Sequence, residues 1–210
     1  MRLLIKKGTL SSILRSGQWI LGGVAVVMLG YCGFVLADSW MFQHRERRLL
    51  DTMLHDRQAA NSGALPIAYS ASPRIPLPAL TQGLIGRIEI PSLGLSAMVI
   101  EGTSRTNLRR AVGHISGTAL PGQPGNVGIS GHRDTFFRPL RNIQKNDIIT
   151  LTTLFGEFRY RVISTRVVSP SSVAVLDPGA SESLTLVTCY PFYFVGPSPK
   201  RFIVRADRVT

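Results

Sequence analysis

The chain has 210 residues, with 24 Lys and Arg against 12 Asp and Glu, which gives a net charge of +12. A hydrophobic content of 44% excludes wholesale disorder, and the charged content of 17% lies below the roughly 25% of an ordinary soluble domain. The length allows one domain with appendages and excludes a disulfide-stapled miniprotein. Some part of the chain must therefore be unusually apolar.

The apolar part lies close to the N-terminus. Residues 16–37 contain no charged side chain, and residues 19–37 read WILGGVAVVMLGYCGFVLA. As a helix, residues 19–37 would be about 28 Å long, which matches the hydrocarbon thickness of a bilayer. Trp19 and Trp40 stand near the two ends, and tryptophan favours membrane–water interfaces. Residues 19–37 are therefore predicted to be a transmembrane anchor in contact with the lipid bilayer.

The charges that flank this anchor indicate its orientation. Residues 1–18 hold four basic residues and no acidic one, whereas three arginines follow within fifteen residues of the anchor, interspersed with acidic residues. Because the more basic flank stays inside, residues 1–18 are predicted to be cytoplasmic and the bulk of the chain to lie outside. The alternative is a cleaved signal peptide, since Val35-Leu36-Ala37 resembles a signal peptidase site. The apolar run exceeds the roughly 7–15 residues of such peptides, which favours an uncleaved anchor.

Three segments follow the anchor. Residues 38–60 contain no Gly or Pro and repeat Leu and Met at helical spacing, which predicts a juxtamembrane helical stalk. Residues 61–82 hold four prolines among Ser and Ala, which predicts an extended linker without a core. Residues 83–210 have the alternating texture of strands and are predicted to be the functional domain.

The last segment is predicted to be all-β. Two runs separated by Ser92-Leu93-Gly94 are typical of a hairpin, and residues 104–113 predict a short helix capped by Ser104 or Thr106. About eight short strands with Gly and Pro loops, and at most two small helices, favour a closed or nearly closed β-barrel. The predicted strands are 84–91, 95–102, 127–132, 147–151, 158–168, 184–189 and 202–209.

Missing motifs exclude several chemistries. There is no P-loop, no GxGxxG after a strand, no HExxH and no CxxC, so nucleotide and zinc chemistry lack support. The absence of GxSxG argues against an α/β-hydrolase. Basic residues outside the anchor are scattered, with RERR at 45–48 the densest patch, so nucleic acid is not an expected partner. The acidic residues are widely spread, so no metal site is expected either.

One cysteine stands out. Cys32 falls inside the anchor, which leaves Cys189 without a disulfide partner in the exported part. A lone thiol in an oxidising compartment is either a small buried hydrophobe or a thiol in use. Cys189 follows the apolar run 184–188, so it is predicted to emerge from a rigid strand at the rim of the barrel.

Two further side chains complete a possible reaction centre. A thiol nucleophile needs a base, and His132 ends a second candidate strand, where it would share a rim with Cys189. Arg201 begins the last strand and would return beside Cys189 if the two strands are neighbours, where a guanidinium suits an oxyanion. The alternative interpretations without a catalytic role are that His132 is a surface histidine in a turn and that Arg201 is an arginine on a solvated strand. His114 is interpreted as structural, and Asp134 is not expected to orient His132.

Three motifs resemble the sortases, the membrane-anchored cysteine transpeptidases of bacteria. TLVTC at 185–189 matches the TLxTC signature of that family. Residues 113–134 are similar to the family's segment that ends at its catalytic histidine, and residues 189–204 resemble class D sortases most closely. The resemblance covers about residues 84–209 and preserves the order His, Cys, Arg.

The resemblance implies a fold and a set of roles. The fold would be the eight-stranded sortase-type β-barrel with one or two short helices, preceded by the transmembrane helix. Cys189 would be the nucleophile, His132 the general acid and base, and Arg201 the group that stabilises the oxyanion or orients the substrate. Thr188 would help to shape the substrate-binding site. No metal and no cofactor would be needed.

The resemblance also implies a reaction, its partners and a location. Cys189 would attack the Thr carbonyl of an LPxTG-like sorting signal near the C-terminus of a surface protein, forming a thioester. An amine acceptor, such as a peptidoglycan precursor or a pilin lysine, would resolve it on the outer face of a bacterial cytoplasmic membrane. The alternatives are a cysteine hydrolase on the same scaffold and a non-catalytic peptide-binding barrel. The linker shows no lid motif, so an uncovered site is predicted.

Overall fold

The computed structural model describes residues 7–62, 83–179, 181–194 and 196–209. The first element is one continuous helix, α1 (Lys7–Ser62). Within it, Gly17–Ala59 is long and apolar enough to cross a membrane, and large apolar side chains such as Trp19 and Leu29 are exposed. Exposed apolar side chains around a whole helix fit an apolar surrounding, as predicted for the anchor. Most of the predicted linker, with the question of a lid, lies outside the described residues.

Eight strands form a closed barrel in the order β1-β2-β3-β4-β7-β8-β6-β5. The pairs β2/β3 and β4/β7 are parallel, and the other neighbours run antiparallel. This arrangement confirms the predicted eight-stranded all-β barrel. The strands are β1 (Leu84–Ile90), β2 (Leu95–Glu101), β3 (Val112–His114), β4 (Asn126–Ser130), β5 (Ile148–Thr153), β6 (Gly156–Val168), β7 (Ser183–Tyr190) and β8 (Lys200–Val209).

The barrel interior is filled by alternate residues of the strands, since successive side chains point to opposite faces of a sheet. On β7, Leu184 and Leu186 are fully buried, and on β8 so are Val204 and Ala206. The partners Leu184 with Ala206 and Leu186 with Val204 stand directly opposite each other. These four residues therefore define the inner face of β7 and β8, and the residues that alternate with them on each strand lie on the outer face.

The predicted helix over residues 104–113 is shorter in the structure. Helix α2 (Arg105–Arg110) is capped by Ser104, whose hydroxyl accepts a hydrogen bond from the Asn107 amide at 3.2 Å. The prediction was wrong at its end, where β3 begins. Gly113 explains the change, because a Cβ there would lie 2.4 Å from the carbonyl oxygen of Gly102, an approach that only glycine permits.

The predicted stalk is helical, and one of its faces, with Phe42, Leu50 and Leu54, packs on the barrel. The described residues from Phe42 onward belong to one compact unit. Leu50 is fully buried in a cluster with residues of β1 and β2 and with Ala111, which directly precedes β3. The Gln43 amide accepts a hydrogen bond from the Met98 backbone N–H at 2.9 Å and donates one to the Arg110 carbonyl at 2.7 Å. The stalk thus supplies both apolar contacts and backbone hydrogen-bond partners to the domain.

Candidate active site

The parallel pairing of β4 with β7 places His132 at the same end of the barrel as Cys189. Ser130 stands opposite Val187, and the Gly131 amide donates to the Val187 carbonyl at 3.1 Å. His132 follows directly after Gly131, two residues beyond the end of β4, and Cys189 lies near the C-terminal end of β7. Because the two strands are parallel neighbours, these ends meet at one rim of the barrel.

Arg201 lies directly beside Cys189. The two residues are partners in the antiparallel register of β7 and β8. Side chains directly opposite in such a pair share one face of the sheet, with Cβ atoms about 4.5–5.5 Å apart. Leu186 and Val204 point inward, and each lies three residues from its partner in the site on the same strand, Cys189 on β7 and Arg201 on β8. Because side chains alternate between the two faces, the thiol and the guanidinium lie on the outer face, and Cys189 is partly exposed.

A tight turn carries His132 out of β4. Gly131 lies under the ring of Phe137, where a Cβ would come within 2.7 Å of the ring, so the turn requires glycine at this position. The His132 carbonyl accepts a hydrogen bond from the Phe137 amide at 3.1 Å. Phe137 is fully buried, whereas His132 is exposed. A turn anchored on the buried Phe137 ring therefore presents an accessible imidazole at the rim.

Thr188 supports this turn from inside the barrel. Its side chain is 2% exposed, and its hydroxyl donates to the Gly131 carbonyl at 2.8 Å. The hydroxyl lies on the opposite face of β7 from the Cys189 thiol. The hydroxyl thus fixes the peptide unit ahead of His132. That Thr188 helps to shape the substrate-binding site, through its hydroxyl or its backbone N–H, stays a prediction.

The Arg201 guanidinium is held by its own loop. Its Nη1 donates to the carbonyls of Ser198 at 3.3 Å and Lys200 at 3.0 Å. The Ser198 hydroxyl in turn donates to the carbonyl of Tyr190, the residue after the thiol. The connection between β7 and β8 therefore leads from Cys189 back to Arg201, and hydrogen bonds of Ser198 join its two ends.

A groove runs along the outer face of the barrel, and neither Cys189 nor Arg201 is part of its lining. Ile203 and Arg205 alternate with Arg201 on β8 and line the groove, whose volume is about 350 Å³. Its opposite wall is a 3-10 turn, Val173–Leu176, in the connection between β6 and β7. The remaining lining residues are Ile163, Ser164, Arg166, Ala174, Val175 and Asp177.

A buried amide anchors that wall. Asn126 is 1% exposed, and its Nδ2 donates to the carbonyls of Val175 at 3.2 Å and Asp177 at 3.4 Å. Its Oδ1 accepts a hydrogen bond from the Thr185 hydroxyl at 2.8 Å, and Arg205 donates to the same hydroxyl at 3.1 Å. Asn126 was not predicted from the sequence, because an asparagine after a Gly-rich loop is typical of an ordinary turn residue.

The two side chains set aside in the sequence have structural partners. His114 is 3% exposed; its Nδ1 lies 2.7 Å from a Glu101 carboxylate oxygen and its Nε2 lies 3.0 Å from the Ala119 carbonyl. The carboxylate of Asp134 is 3.5 Å from Nε of Arg133 and is 67% exposed. Across the described ranges, no three His, Cys, Asp or Glu side chains are grouped to hold a metal ion.

Comparison with known protein families and relatives gives a consistent result. The family model described as "Sortase domain" matches residues 88–209. The chain is 33% identical over 187 residues to Sortase D of Bacillus subtilis, an alignment that covers 88% of this chain and 93% of that protein. It is 31% identical over 110 residues to Sortase A of Listeria monocytogenes, covering 50% of this chain and 49% of that one.

Solved structures show the same barrel. A sortase A from Corynebacterium diphtheriae, a lid mutant, has a TM-score of 0.60 and 28% identity, with 78% of this chain and 95% of that chain covered. A sortase D transpeptidase from Clostridium perfringens has a TM-score of 0.61 and covers 83% of this chain and 99% of its own. At 24% identity, the second likeness concerns the fold.

Proposed function

The chain belongs to the sortase family of cysteine transpeptidases, and on that premise we propose that it cleaves an LPxTG-like sorting signal of surface proteins and transfers them to an amine acceptor. The observation that supports this proposal best is the register of β7 and β8, in which Cys189 and Arg201 are direct partners on the outer face. His132 lies two residues beyond the end of β4, the parallel neighbour of β7, at the same end of the barrel. The three side chains were predicted from positions far apart in the sequence.

The proposed reaction has two halves. The Cys189 sulfur attacks the Thr carbonyl, His132 accepts the thiol proton and returns it to the departing amine, and a thioester remains on the enzyme. An incoming amine then attacks the thioester, gives up a proton to His132 and releases Cys189. In both halves Arg201 stabilises the negative charge that develops on the carbonyl oxygen.

The groove along β8 suits the part of the signal that precedes the Thr. Ile203 lies two residues from Arg201 on the same face of β8, and Ile163, Val175 and Ile203 give the groove apolar lining. An extended peptide with its Thr carbonyl at Cys189 would lay its Leu and Pro side chains toward this lining. Apolar contact of this kind orients a substrate before chemistry begins.

The N-terminal helix supports a membrane location. We propose that residues 19–37 span the cytoplasmic membrane of a bacterium, with residues 1–18 inside and the barrel outside. The exposed apolar side chains of α1 and the basic N-terminal flank support this orientation.

A decisive experiment supplies the full chain, in detergent micelles, with a fluorogenic LPxTG peptide and either hydroxylamine or triglycine. We expect mass spectrometry to show the hydroxamate or the triglycine adduct in excess over the free acid. Free acid as the dominant product at saturating acceptor would identify a cysteine hydrolase instead. Solvent-exposed His132 makes that outcome a real competitor, since water reaches the same rim.

Two cysteine variants separate catalysis from binding. Cys189→Ala should abolish both the acyl-enzyme mass and the adduct, whereas Cys32→Ala in the apolar helix should leave both unchanged. If Cys189→Ala retains the function of the wild type in cells, the protein is a non-catalytic peptide-binding barrel.

A further inference from the structure

Arg133 is a buried arginine that the proposed reaction does not use. It stands between His132 and Asp134, which are both exposed, yet Arg133 itself is only 6% exposed. Burying a guanidinium costs free energy unless its N–H groups find acceptors. The identity of those acceptors therefore indicates what the side chain does.

All the hydrogen-bond acceptors recorded for Arg133 are backbone carbonyls of the connection that follows the nucleophile. Its Nη1 donates to Pro191 at 2.9 Å, and its Nη2 donates to Phe194 at 2.6 Å and to Gly196 at 3.1 Å. The guanidinium also lies 6.0 Å from the centre of the Phe194 ring. One side chain next to His132 thus binds the β7–β8 loop, which comprises the described residues 191–194 and 196–199.

The chemistry of these contacts requires arginine. A guanidinium presents five N–H donors in a fixed planar fork, so it can reach three carbonyls that point in different directions. A lysine at position 133 would place a single ammonium among them and satisfy fewer. The Asp134 carboxylate, 3.5 Å from Nε, forms an ion pair that is largely exposed.

The loop that Arg133 holds is connected to the other two reactive side chains. It begins two residues after Cys189, and its last residues bond to the Arg201 guanidinium through the Ser198 carbonyl at 3.3 Å. The turn that bears Arg133 begins at His132. A shift of this loop relative to the turn would therefore change the positions of thiol, imidazole and guanidinium together.

We propose that Arg133 is a positioning residue that sets the relative placement of Cys189, His132 and Arg201 by holding the β7–β8 loop against the turn after His132. This inference rests on the proposed function, because it concerns the rate of that reaction. The groove wall at Val173–Leu176 is anchored separately by Asn126. Loss of Arg133 is therefore expected to lower kcat and to leave KM nearly unchanged.

The test compares Arg133→Met with Arg133→Lys and with Arg138→Met, an exposed arginine in the same segment, as the matched control. We expect Arg133→Met to lower kcat by about 10²-fold, since misplacing a reacting group by about 1 Å has that effect. KM should change less than about threefold, and Arg133→Lys should recover part of the rate. Arg138→Met should match the wild type.

A readout independent of turnover is the alkylation rate of the Cys189 thiol by iodoacetamide, followed by intact mass in a Cys32→Ala background. Misplacement of His132 should change this rate in Arg133→Met and not in Arg138→Met, at a temperature at which both variants are folded. Wild-type kcat and alkylation in Arg133→Met would overturn the proposal. If Arg133→Met does not fold, Arg133→Lys decides in the same way, and unfolding of both variants would assign Arg133 to fold stability instead.

The two proposals fail in different ways. If the wild-type chain forms no adduct with hydroxylamine or triglycine, the proposed function is wrong. If the wild type forms the adduct and Arg133→Met forms it equally fast, only the positioning role is wrong.

Discussion

At the scale of single residues, the strand register holds Arg201 opposite Cys189, and two carbonyls of its own loop orient its guanidinium. The same N–H groups can turn to a developing oxyanion, because the side chain lies on the outer face with the thiol. The value of an arginine here is its planar fork of donors as well as its charge.

Arg201→Met should therefore lower kcat/KM by about 10²–10³-fold, the usual effect of removing an oxyanion donor. Arg201→Lys keeps the charge and should recover only part of the loss. Lys200→Met, at the neighbouring exposed position, is the control for loss of a positive charge. Steady-state kinetics with the fluorogenic peptide measure the effect, and wild-type activity in Arg201→Met would refute the proposed role.

Tyr160 shows a different residue-scale effect inside the barrel. It is fully buried, and its hydroxyl has no hydrogen-bond partner within the described part of the chain. Burial raises the pKa of Tyr160 to about 12, with Arg208 opposing the shift and Glu182 adding to it. The folded protein thus keeps this proton at a pH where the unfolded chain has lost it.

Because the folded-state pKa of Tyr160 is raised, the free energy of unfolding should fall as pH rises from about 10 toward 12. Tyr160→Phe should weaken that decline. At neutral pH the same variant should be as stable as the wild type or slightly more stable, since it removes a buried unpaired hydroxyl. Chemical denaturation at pH 7 and pH 10.5 tests both points, with exposed Tyr193→Phe as the control. A decline with pH as steep in Tyr160→Phe as in the wild type would contradict the prediction.

At the scale of elements, two connections border the reactive rim and are anchored by different side chains. Arg133 holds the β7–β8 loop, and Asn126 holds the 3-10 turn Val173–Leu176 that walls the groove. Anchors on separate elements allow substrate affinity and chemical rate to be altered separately.

Asn126→Asp should raise KM for the peptide about tenfold while kcat stays within about threefold, because a carboxylate cannot donate to the carbonyls that Nδ2 now contacts. Asn142→Asp, on an exposed residue, is the charge-matched control. The opposite pattern, a fall in kcat at constant KM, would show that this wall serves the chemistry rather than the groove.

The stalk contributes to the packing and the hydrogen bonds of the barrel domain. Leu50 is fully buried against β1 and β2. The Gln43 amide accepts a hydrogen bond from the Met98 N–H and donates one to the Arg110 carbonyl. Leu50→Ala is expected to lower the free energy of unfolding by about 2–5 kcal/mol through lost burial and a residual cavity. His55→Ala, on an exposed face of the same helix, should have little effect. Denaturant titration of the full chain in micelles measures both, and equal stabilities would show that the helix does not stabilise the barrel.

At the scale of the whole molecule, the proposed orientation predicts which thiol is accessible from outside the cell. A membrane-impermeant maleimide added to intact cells that express the Cys32→Ala variant should label Cys189. The same cells expressing Cys32→Ala with Cys189→Ala give the background. Labelling that requires lysis would place the barrel inside and contradict the proposed location.

The local features of this protein could be predicted from its amino-acid sequence. Alternation with a period of two marked seven of the eight strands, because each strand has one buried face whatever its neighbours are. The apolar helix was predicted from a different local feature, the run of residues before Asp38 that carries no charge. The motif around Cys189, with those at His132 and Arg201, indicated the family, which the matched residues 88–209 confirm.

Which of these local features meet depends on the tertiary structure. The three residues of β3 pair with β2 and β4, and Gly113 lets the chain approach Gly102 there. β4 is the parallel neighbour of β7, more than fifty residues away in the sequence. Arg133 lies in a turn between two exposed residues, and the carbonyls that bind its guanidinium belong to a loop about sixty residues later in the chain. Such contacts form only when segments distant in the sequence pair with each other. The free energy of this pairing comes from packing in the assembled barrel, so no periodic pattern in the sequence predicts it.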